Sequence, residues 1–358
     1  VACYLSPSDK IVIIGSEFST DHYFISSEEK SMAQINAIEI VVSQFLQGLG
    51  EWLRLPMVAI TALGYEEFFV LLLPTIYWCF DQMVGLRVGM VLLIGSTFNT
   101  FFKFIFHSPR PYWISDSVKA YSTETSFGIP SGHAQIAASV WGWLAVEVKK
   151  RWFSIVALVL VFLIGVSRLY LGVHFLSDVL LGWLLGGLLV WAFAAWHKPV
   201  GGWLSKQSLG TKLGLVAAST AVIMLLVLGA RWIVGPWVMD NTWVARAGDV
   251  DPYSMDGVYT LSGTWFGMLG GFVLLTETKG HFLAGEGGWR RLVRFVVGLL
   301  GIMLLYLGLG QIFPRNMDLI SYGLRFLRYT LIGLWVSWLG PIVFEKLSLL
   351  EFEKKTEK

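Results

Sequence analysis

Long apolar stretches separated by short polar connections occupy most of the chain. They lie near residues 65–80, 86–106, 132–148, 152–170, 174–196, 212–232, 258–276, 292–312 and 321–344. A helix needs about 20 mostly apolar residues to cross the hydrocarbon core of a bilayer. The pattern therefore predicts about nine transmembrane helices, of which the first is short and the third carries Gln135. Upstream, between Met32 and Leu49, apolar residues recur at Ile35, Ile38, Val41, Val42, Phe45 and Leu49. That spacing predicts an amphipathic helix lying in the membrane interface. The fold class expected is an all-α polytopic membrane protein.

Composition agrees with this and removes alternatives. Of the 358 residues, 55% are hydrophobic and 15% are charged, with 17 Trp, whereas soluble domains carry about 25% charged residues. Mean hydropathy is +0.63. Disorder, collagen and a disulfide scaffold are excluded, and a net charge of +2 gives no footprint for nucleic acid. Cys3 in a polar tail and Cys79 in an apolar run cannot build a tetrahedral zinc site by themselves. The first thirty residues lack the continuous apolar core of a signal peptide.

Basic residues orient the spans. The connections on one side, from Arg87 and Lys149-Lys150-Arg151 to Arg290, Arg291, Arg294 and the Lys-rich tail, hold fifteen of the 27 Lys and Arg. The positive-inside bias puts that side and the C-terminus in the cytosol. Five regions are expected on this basis: an extracytoplasmic segment with the interfacial helix over 1–55, and a helical core over 56–200. A cytosolic linker over 201–211, a four-span block over 212–346 and a basic tail over 347–358 follow.

Polar residues inside or at the ends of spans are costly and mark function by default. Here they cluster in three places. Lys103 lies near the outer end of the second span, with Arg110 seven residues later and Pro111 after it. Two helical turns would aim both cations at one locus, with Pro111 ending the helix there; taken alone, the pair also suits snorkelling to lipid phosphates. Pro130-Ser131-Gly132-His133 precedes the third span, where free helix N–H groups suit a phosphate and His133 can give a proton. By itself this segment is a weak signal and reads more readily as an ordinary helix cap. His174 and Asp178 stand four apart at the start of the fifth span, downstream of Ser167-Arg168. A carboxylate on one ring nitrogen fixes the imidazole tautomer and frees the other for attack. A lone membrane histidine is more often an interhelical hydrogen bond; Asp178 and Arg168 reverse those odds.

All three clusters fall at outer span ends by the charge count. Three cations, two histidines and one aspartate at one extracytoplasmic locus suit a phosphoryl group in flight. No acidic cluster points to a divalent metal, so metal-free chemistry through a phosphohistidine is expected, with no cofactor.

The pattern Lys103-x6-Arg110-Pro111, Pro130-Ser131-Gly132-His133 and Ser167-Arg168-x5-His174-x3-Asp178 resembles the three-part motif of the type 2 phosphatidic acid phosphatase (PAP2) superfamily, over about 76 residues. The resemblance implies that Lys103, Arg110 and Arg168, with the Ser131 hydroxyl and Gly132 amide, hold phosphate oxygens. It implies His174 as nucleophile, Asp178 as its orienting partner and His133 as general acid, with residues 56–200 as the catalytic core. Substrates implied are lipid phosphates or pyrophosphates of the phosphatidate, phosphatidylglycerol phosphate or undecaprenyl pyrophosphate type, in a bacterial cytoplasmic membrane. The glucose-6-phosphatase group is also similar: Arg110-Pro111-Tyr112-Trp113 matches its first motif, and Glu124-Thr125 ahead of Pro130 is reminiscent of it. It implies a sugar phosphate as the runner-up substrate.

Glu66 and Glu67 at the outer end of the first span, and Asn99 with Thr100 one turn below Lys103, are weaker candidates. The glutamates either pair with Lys103 or stay solvated, and Asn99 either orients Lys103 or bonds a neighbouring helix. Arg325 and Arg328 share a face of the ninth span and suit an outer-loop acid or a lipid headgroup. Trp232, Trp237 and Trp243 suit an interfacial belt or a lid. Rival functions are an anionic-lipid transporter or scramblase, which needs charge along the membrane depth, a silent sensor, and a phosphotransferase.

Overall fold

The structure is a computed structural model, and it describes residues 2–5, 11–14, 27–235, 238–248, 250–283, 287–314 and 316–353. A short antiparallel hairpin pairs β1 (Ala2–Leu5) with β2 (Ile11–Ile14). Helices follow as α1 (Ser27–Gly48), α2 (Arg54–Ala62), α3 (Glu66–Cys79), α4 (Gln82–Phe106), α5 (Pro111–Ile114) and α6 (Gly132–Val148). Then come α7 (Arg151–Tyr170), α8 (Leu176–Leu204), α9 (Leu209–Val234), α10 (Asn241–Ala247) and α11 (Asp256–Thr278). A two-residue strand β3 (Phe282–Leu283) precedes α12 (Gly288–Met303), which passes through a π-helical turn into α13 (Leu309–Ile312). Last are α14 (Leu319–Leu334), a second π turn, α15 (Gly340–Lys346) and β4 (Glu351–Phe352), which pairs with β3.

Every predicted span is helical. Among the described residues seven helical segments are long and apolar enough to cross a membrane; α3 and α6, with 14 and 17 residues, are shorter. The helices begin where the sequence provides caps. Asp81 accepts from the Val84 amide (2.8 Å), Ser208 from Thr211 (3.2 Å) and Asp318 from Ser321 (2.7 Å), each satisfying an N–H that has no partner within its helix.

Two local expectations are corrected. The helix carrying Lys103 does not continue to Arg110: it stops at Phe106, His107 caps it in the left-handed region (φ 34°), and Pro111 opens α5. His174 does not lie on the fifth span but in the turn before α8, which begins at Leu176. The physical reason is the same in both places. A capped or reversed chain brings polar groups together without burying unpaired backbone in the bilayer.

Helices α6, α7 and α8 pack together, with α4 against α6, and the later helices lean on this group through α9 and α11 on α4 and α12 on α3. Trp78 donates to the Val336 carbonyl (2.7 Å) and Tyr77 to that of Ser337 (3.1 Å). Against α14 and the following π turn, α11 presents Gly263, Gly267 and Gly271, and a Cβ on Gly267 would run into the Thr330 carbonyl. Small residues allow this approach, which substitutes for the hydrophobic drive missing in lipid. Gly267→Val is expected to lower stability by about 1–3 kcal/mol, read as a lower thermal midpoint in detergent; an unchanged midpoint would mean that the two helices spread freely.

Ile38, Val41 and Phe45 of α1, with Leu49 just beyond its end, are all at least half exposed. Arg325 pairs with Asp256 (2.6 Å), while Arg328 lies over the rings of Tyr306 (5.3 Å) and Tyr329 (5.0 Å). Trp243 packs on Trp113 with ring centroids 6.2 Å apart. Trp232 is exposed, and Trp237 lies outside the described residues.

Candidate active site

The three polar clusters converge. Lys103 comes from the last turn of α4, Arg110 from the residue before α5, Arg168 from the end of α7, and His174 and Asp178 from the turn that opens α8. Arg110, Ser131, Arg168, His174 and Asp178 are each at most 1% exposed. Such burial of ionisable groups demands partners, and the partners define the site.

Asp178 is its anchor. Its Oδ2 accepts from His174 Nδ1 (3.0 Å) and from the Phe175 amide (3.0 Å), and its carbonyl accepts from the Ser131 amide (2.9 Å). One residue thus ties the Ser-Gly-His segment to the histidine. A carboxylate only accepts, so Nδ1 of His174 carries the proton and Nε2 keeps its lone pair. That lone pair accepts from Arg110 Nη1 at 3.1 Å.

Residues 124–130 wrap around the cations. Lys103 Nζ donates to Ser126 Oγ (2.8 Å) and the Phe127 carbonyl (2.8 Å). Arg110 donates through Nη2 to the same two oxygens (3.1 and 3.0 Å), through Nε to the Ser126 carbonyl (2.6 Å) and through Nη1 to the Val173 carbonyl (2.8 Å). Gly128 is required here, because a Cβ would come within 2.6 Å of the Pro109 carbonyl and 3.2 Å of Asp178 Oδ2. Arg168 donates to Thr61 Oγ1 (2.9 Å) and forms an ion pair with Glu124.

Among the described charged and histidine side chains of the site, Nε of Arg168 and Nε2 of His133 are buried without a hydrogen-bond partner. The His133 ring sits edge-on to Tyr65, with centroids 4.8 Å apart, and follows Ser131, whose hydroxyl accepts from the Ala134 amide (3.4 Å) as the cap of α6. Gly132 begins that helix beside Asn99 Oδ1, which a Cβ would approach to 3.1 Å. Both atoms are open to a partner that water or a bound ligand can supply.

The sequence-predicted residues Lys103, Arg110, Ser131, Gly132, His133, Arg168, His174 and Asp178 are therefore brought together. Asn99 does not hold Lys103: its Nδ2 donates to the Pro130 carbonyl (3.2 Å) and Gln135 Oε1 (2.9 Å), and Thr100 bonds its own helix at Ser96 (3.0 Å). Glu66 and Glu67 start α3, but their side chains lie outside the described residues. Thr61 and Ser126 were not anticipated. Ser126 was findable as a polar residue just ahead of Pro130, whereas nothing in α2 distinguishes Thr61.

Glu124 also belongs to the site. Burial alone would raise its carboxyl, but the guanidinium groups of Arg168 and Arg110 and the other nearby cations outweigh this and hold it down to about 2. A carboxylate depressed in this way stabilises the folded chain above its ordinary range near 4.5, and that contribution fades as pH falls towards 2. The thermal midpoint of the wild-type chain is expected to exceed that of Glu124→Gln at neutral pH, with the gap closing in acid. A gap that widened in acid would contradict this assignment.

Comparison with known proteins places this arrangement. The profile of the PAP2 superfamily matches residues 84–201, and that of the PAP2 superfamily phosphatase transmembrane extension matches residues 259–355. Glucose-6-phosphatase 3 of Bos taurus is 27% identical, over 87% of this chain and 96% of that protein. Phosphatidylglycerophosphatase B of Bacillus subtilis (strain 168) is 33% identical, over 42% of this chain and 77% of that protein. The crystal structure of the transmembrane PAP2 type phosphatidylglycerolphosphate phosphatase from Bacillus subtilis aligns with 47% of this chain and 88% of that one, at 27% identity and a TM-score of 0.41. The polar cluster assembled above lies at residues the superfamily profile covers or just adjoins, and the chain belongs to the PAP2 superfamily as a membrane-integral phosphatase of that type.

Proposed function

We propose that the chain hydrolyses a phosphate ester through a phosphohistidine on His174. The observation that carries this reading is a buried imidazole with Nδ1 held by Asp178 (3.0 Å) and Nε2 facing Arg110 (3.1 Å). The incoming phosphoryl group takes the place of Nε2's contact with Arg110. Its equatorial oxygens collect Lys103, Arg110 and the Nε of Arg168, with the amide of Gly132 at the start of α6. Nε2 bonds to phosphorus as the bond to the leaving oxygen breaks, and that oxygen takes a proton from His133. Water, deprotonated by His133, then attacks phosphorus and frees His174. Asp178 stabilises the positive charge that the ring carries while phosphorylated.

Positive charge at the phosphate comes from side chains, a task that divalent ions perform in many phosphoryl-transfer sites. Activity is therefore expected to survive EDTA and to be inhibited by vanadate, which adopts the five-coordinate geometry of the transition state. Loss in EDTA with recovery in Mg²⁺ would overturn the mechanism.

A lipid phosphate is the leading substrate, supported by the 33% identity to a phosphatidylglycerophosphatase and by a site at the ends of membrane helices. A sugar phosphate is the second reading. It is favoured by relatives named glucose-6-phosphatase whose similarity runs through the C-terminal helices. The basic residues of the connections support a catalytic end outside the cytosol and a cytosolic C-terminus, in a bacterial cytoplasmic membrane. Phosphate release from phosphatidate, phosphatidylglycerol phosphate, undecaprenyl pyrophosphate and glucose 6-phosphate, with EDTA present and His174→Ala as control, separates the readings. Release from lipid alone supports the first, and release from the sugar alone supports the second. Transfer of phosphate to an added alcohol in place of water would make the chain a phosphotransferase.

A further inference from the structure

We propose that Glu39 is a positioning residue for the His174–Asp178 pair, acting from the interfacial helix α1 through the first turn of α8. This rests on His174 being the nucleophile. Glu39 reaches across 138 residues of sequence to a single target: Oε1 accepts from the Ser177 amide (3.0 Å) and Oε2 from the Ser177 hydroxyl (2.9 Å). Ser177 is the second residue of α8, so its amide is one of those that the helix cannot satisfy itself. A carboxylate there also meets the positive end of the helix dipole.

The next residue is Asp178, whose Oδ2 holds both His174 Nδ1 and the Phe175 amide, each at 3.0 Å. The turn from His174 to Asp178 therefore has an internal latch and an external one. Asp178 supplies the first and Glu39 the second. Without the second, the Ser177 amide loses its partner and the turn keeps from outside only the Ser131 amide on the Asp178 carbonyl (2.9 Å) and the contacts of Arg110, and the direction of Nε2 depends on the turn. Displacement of a reacting group by about 1 Å can cost about 100-fold in rate.

The rest of α1 is built to hold Glu39 in place. Val42 and Leu46 pack on the cluster of Ala134, Leu169 and Val179, beneath the same turn. About two helical turns beyond Glu39, Gln47 Nε2 donates to the carbonyls of Tyr170 (2.9 Å) and Lys119 (2.8 Å), and Gln47 Oε1 accepts from the Lys119 amide (3.1 Å). The outward face, Ile38, Val41, Phe45 and Leu49, is apolar and suits the interface. Among the described side chains of the helix, Glu39 is the one that bonds to the turn carrying the histidine's partner.

The test uses the full chain in detergent, with whichever phosphate ester of the panel above the wild type cleaves fastest. Glu39→Ala is expected to lower kcat about 10- to 100-fold with KM within about twofold. Inhibition by vanadate, which bonds where the transition state does, weakens by the same factor, while inhibition by inorganic phosphate stays within about twofold. Glu39→Gln keeps an oxygen for the Ser177 amide and a donor for its hydroxyl, and should stay within about threefold of wild type. Ser177→Ala, which loses only the hydroxyl contact, should lower kcat about three- to tenfold and serves if Glu39→Ala does not fold.

A Glu39→Ala kcat within twofold of wild type, or an unchanged Ser177→Ala if the former is unfolded, overturns the proposal. So does a parallel loss of vanadate and phosphate inhibition with glutamine no better than alanine, the mark of a merely structural staple. His174→Ala is run alongside. If it stays active, the reading of His174 fails; if it is dead while Glu39→Ala is normal, only the role of Glu39 fails.

Discussion

Replacing His174 by alanine is expected to lower phosphate release by about 10⁴-fold or more, because the bond from Nε2 to phosphorus can then not form. Asp178→Asn is expected to cost about 10²- to 10⁴-fold while leaving the protein folded. The Phe175 N–H and His174 Nδ1 meet one oxygen, Oδ2, each at 3.0 Å; an amide oxygen can keep both, but a neutral amide no longer balances a charged ring. Chemical trapping separates these effects. Radiolabelled substrate quenched in mild alkali should yield an acid-labile phosphohistidine in the wild type and none in His174→Ala. Full activity in His174→Ala, or label carried on a serine, would end the phosphohistidine reading.

Arg110→Lys is the second large effect, expected to reduce kcat/KM by about 10²- to 10³-fold. Arginine is the hub of the cradle: its fork serves the carbonyls of Ser126, Phe127 and Val173, the Ser126 hydroxyl and His174 Nε2 together. A lysine ammonium has three donors on a flexible stem and no planar fork, so it cannot span that set. Buried carbonyls are then left without a partner, each costing about 1–3 kcal/mol. The lysine variant should accordingly melt earlier as well as turn over slowly. Steady-state kinetics beside a thermal scan reads both; wild-type kcat/KM would show that charge alone suffices and that the fork is not needed.

Much of this protein follows from its one-dimensional pattern. Apolar runs must become helices in lipid, because no water is there to satisfy an open backbone, so the all-α character and the order of the helices are legible directly. The spacing of Lys103, Arg110, His133, Arg168, His174 and Asp178 is legible too, because buried charge at span ends is too costly to be incidental. The charge-based asymmetry of the connections belongs to the same class of local information.

Other features depend on which segments meet. The stop of α4 at Phe106 is set by His107 in a left-handed conformation, which a helical pattern does not announce. The wrapping of residues 124–130 around Lys103 and Arg110 follows from satisfying those cations and makes Ser126 their partner, while the packing of α2 on α7 brings Thr61 to Arg168, which no spacing rule picks out. Asn99, one helical turn before Lys103, bonds instead to Pro130 and Gln135. Glu39, far upstream, arrived at Ser177 only through the docking of α1. Sequence by itself determined the helices and the inventory of reactive groups, since both depend on local composition and the cost of burial. Tertiary structure decided the hydrogen-bond partners, since those are chosen by long-range packing among many acceptors of equal chemistry.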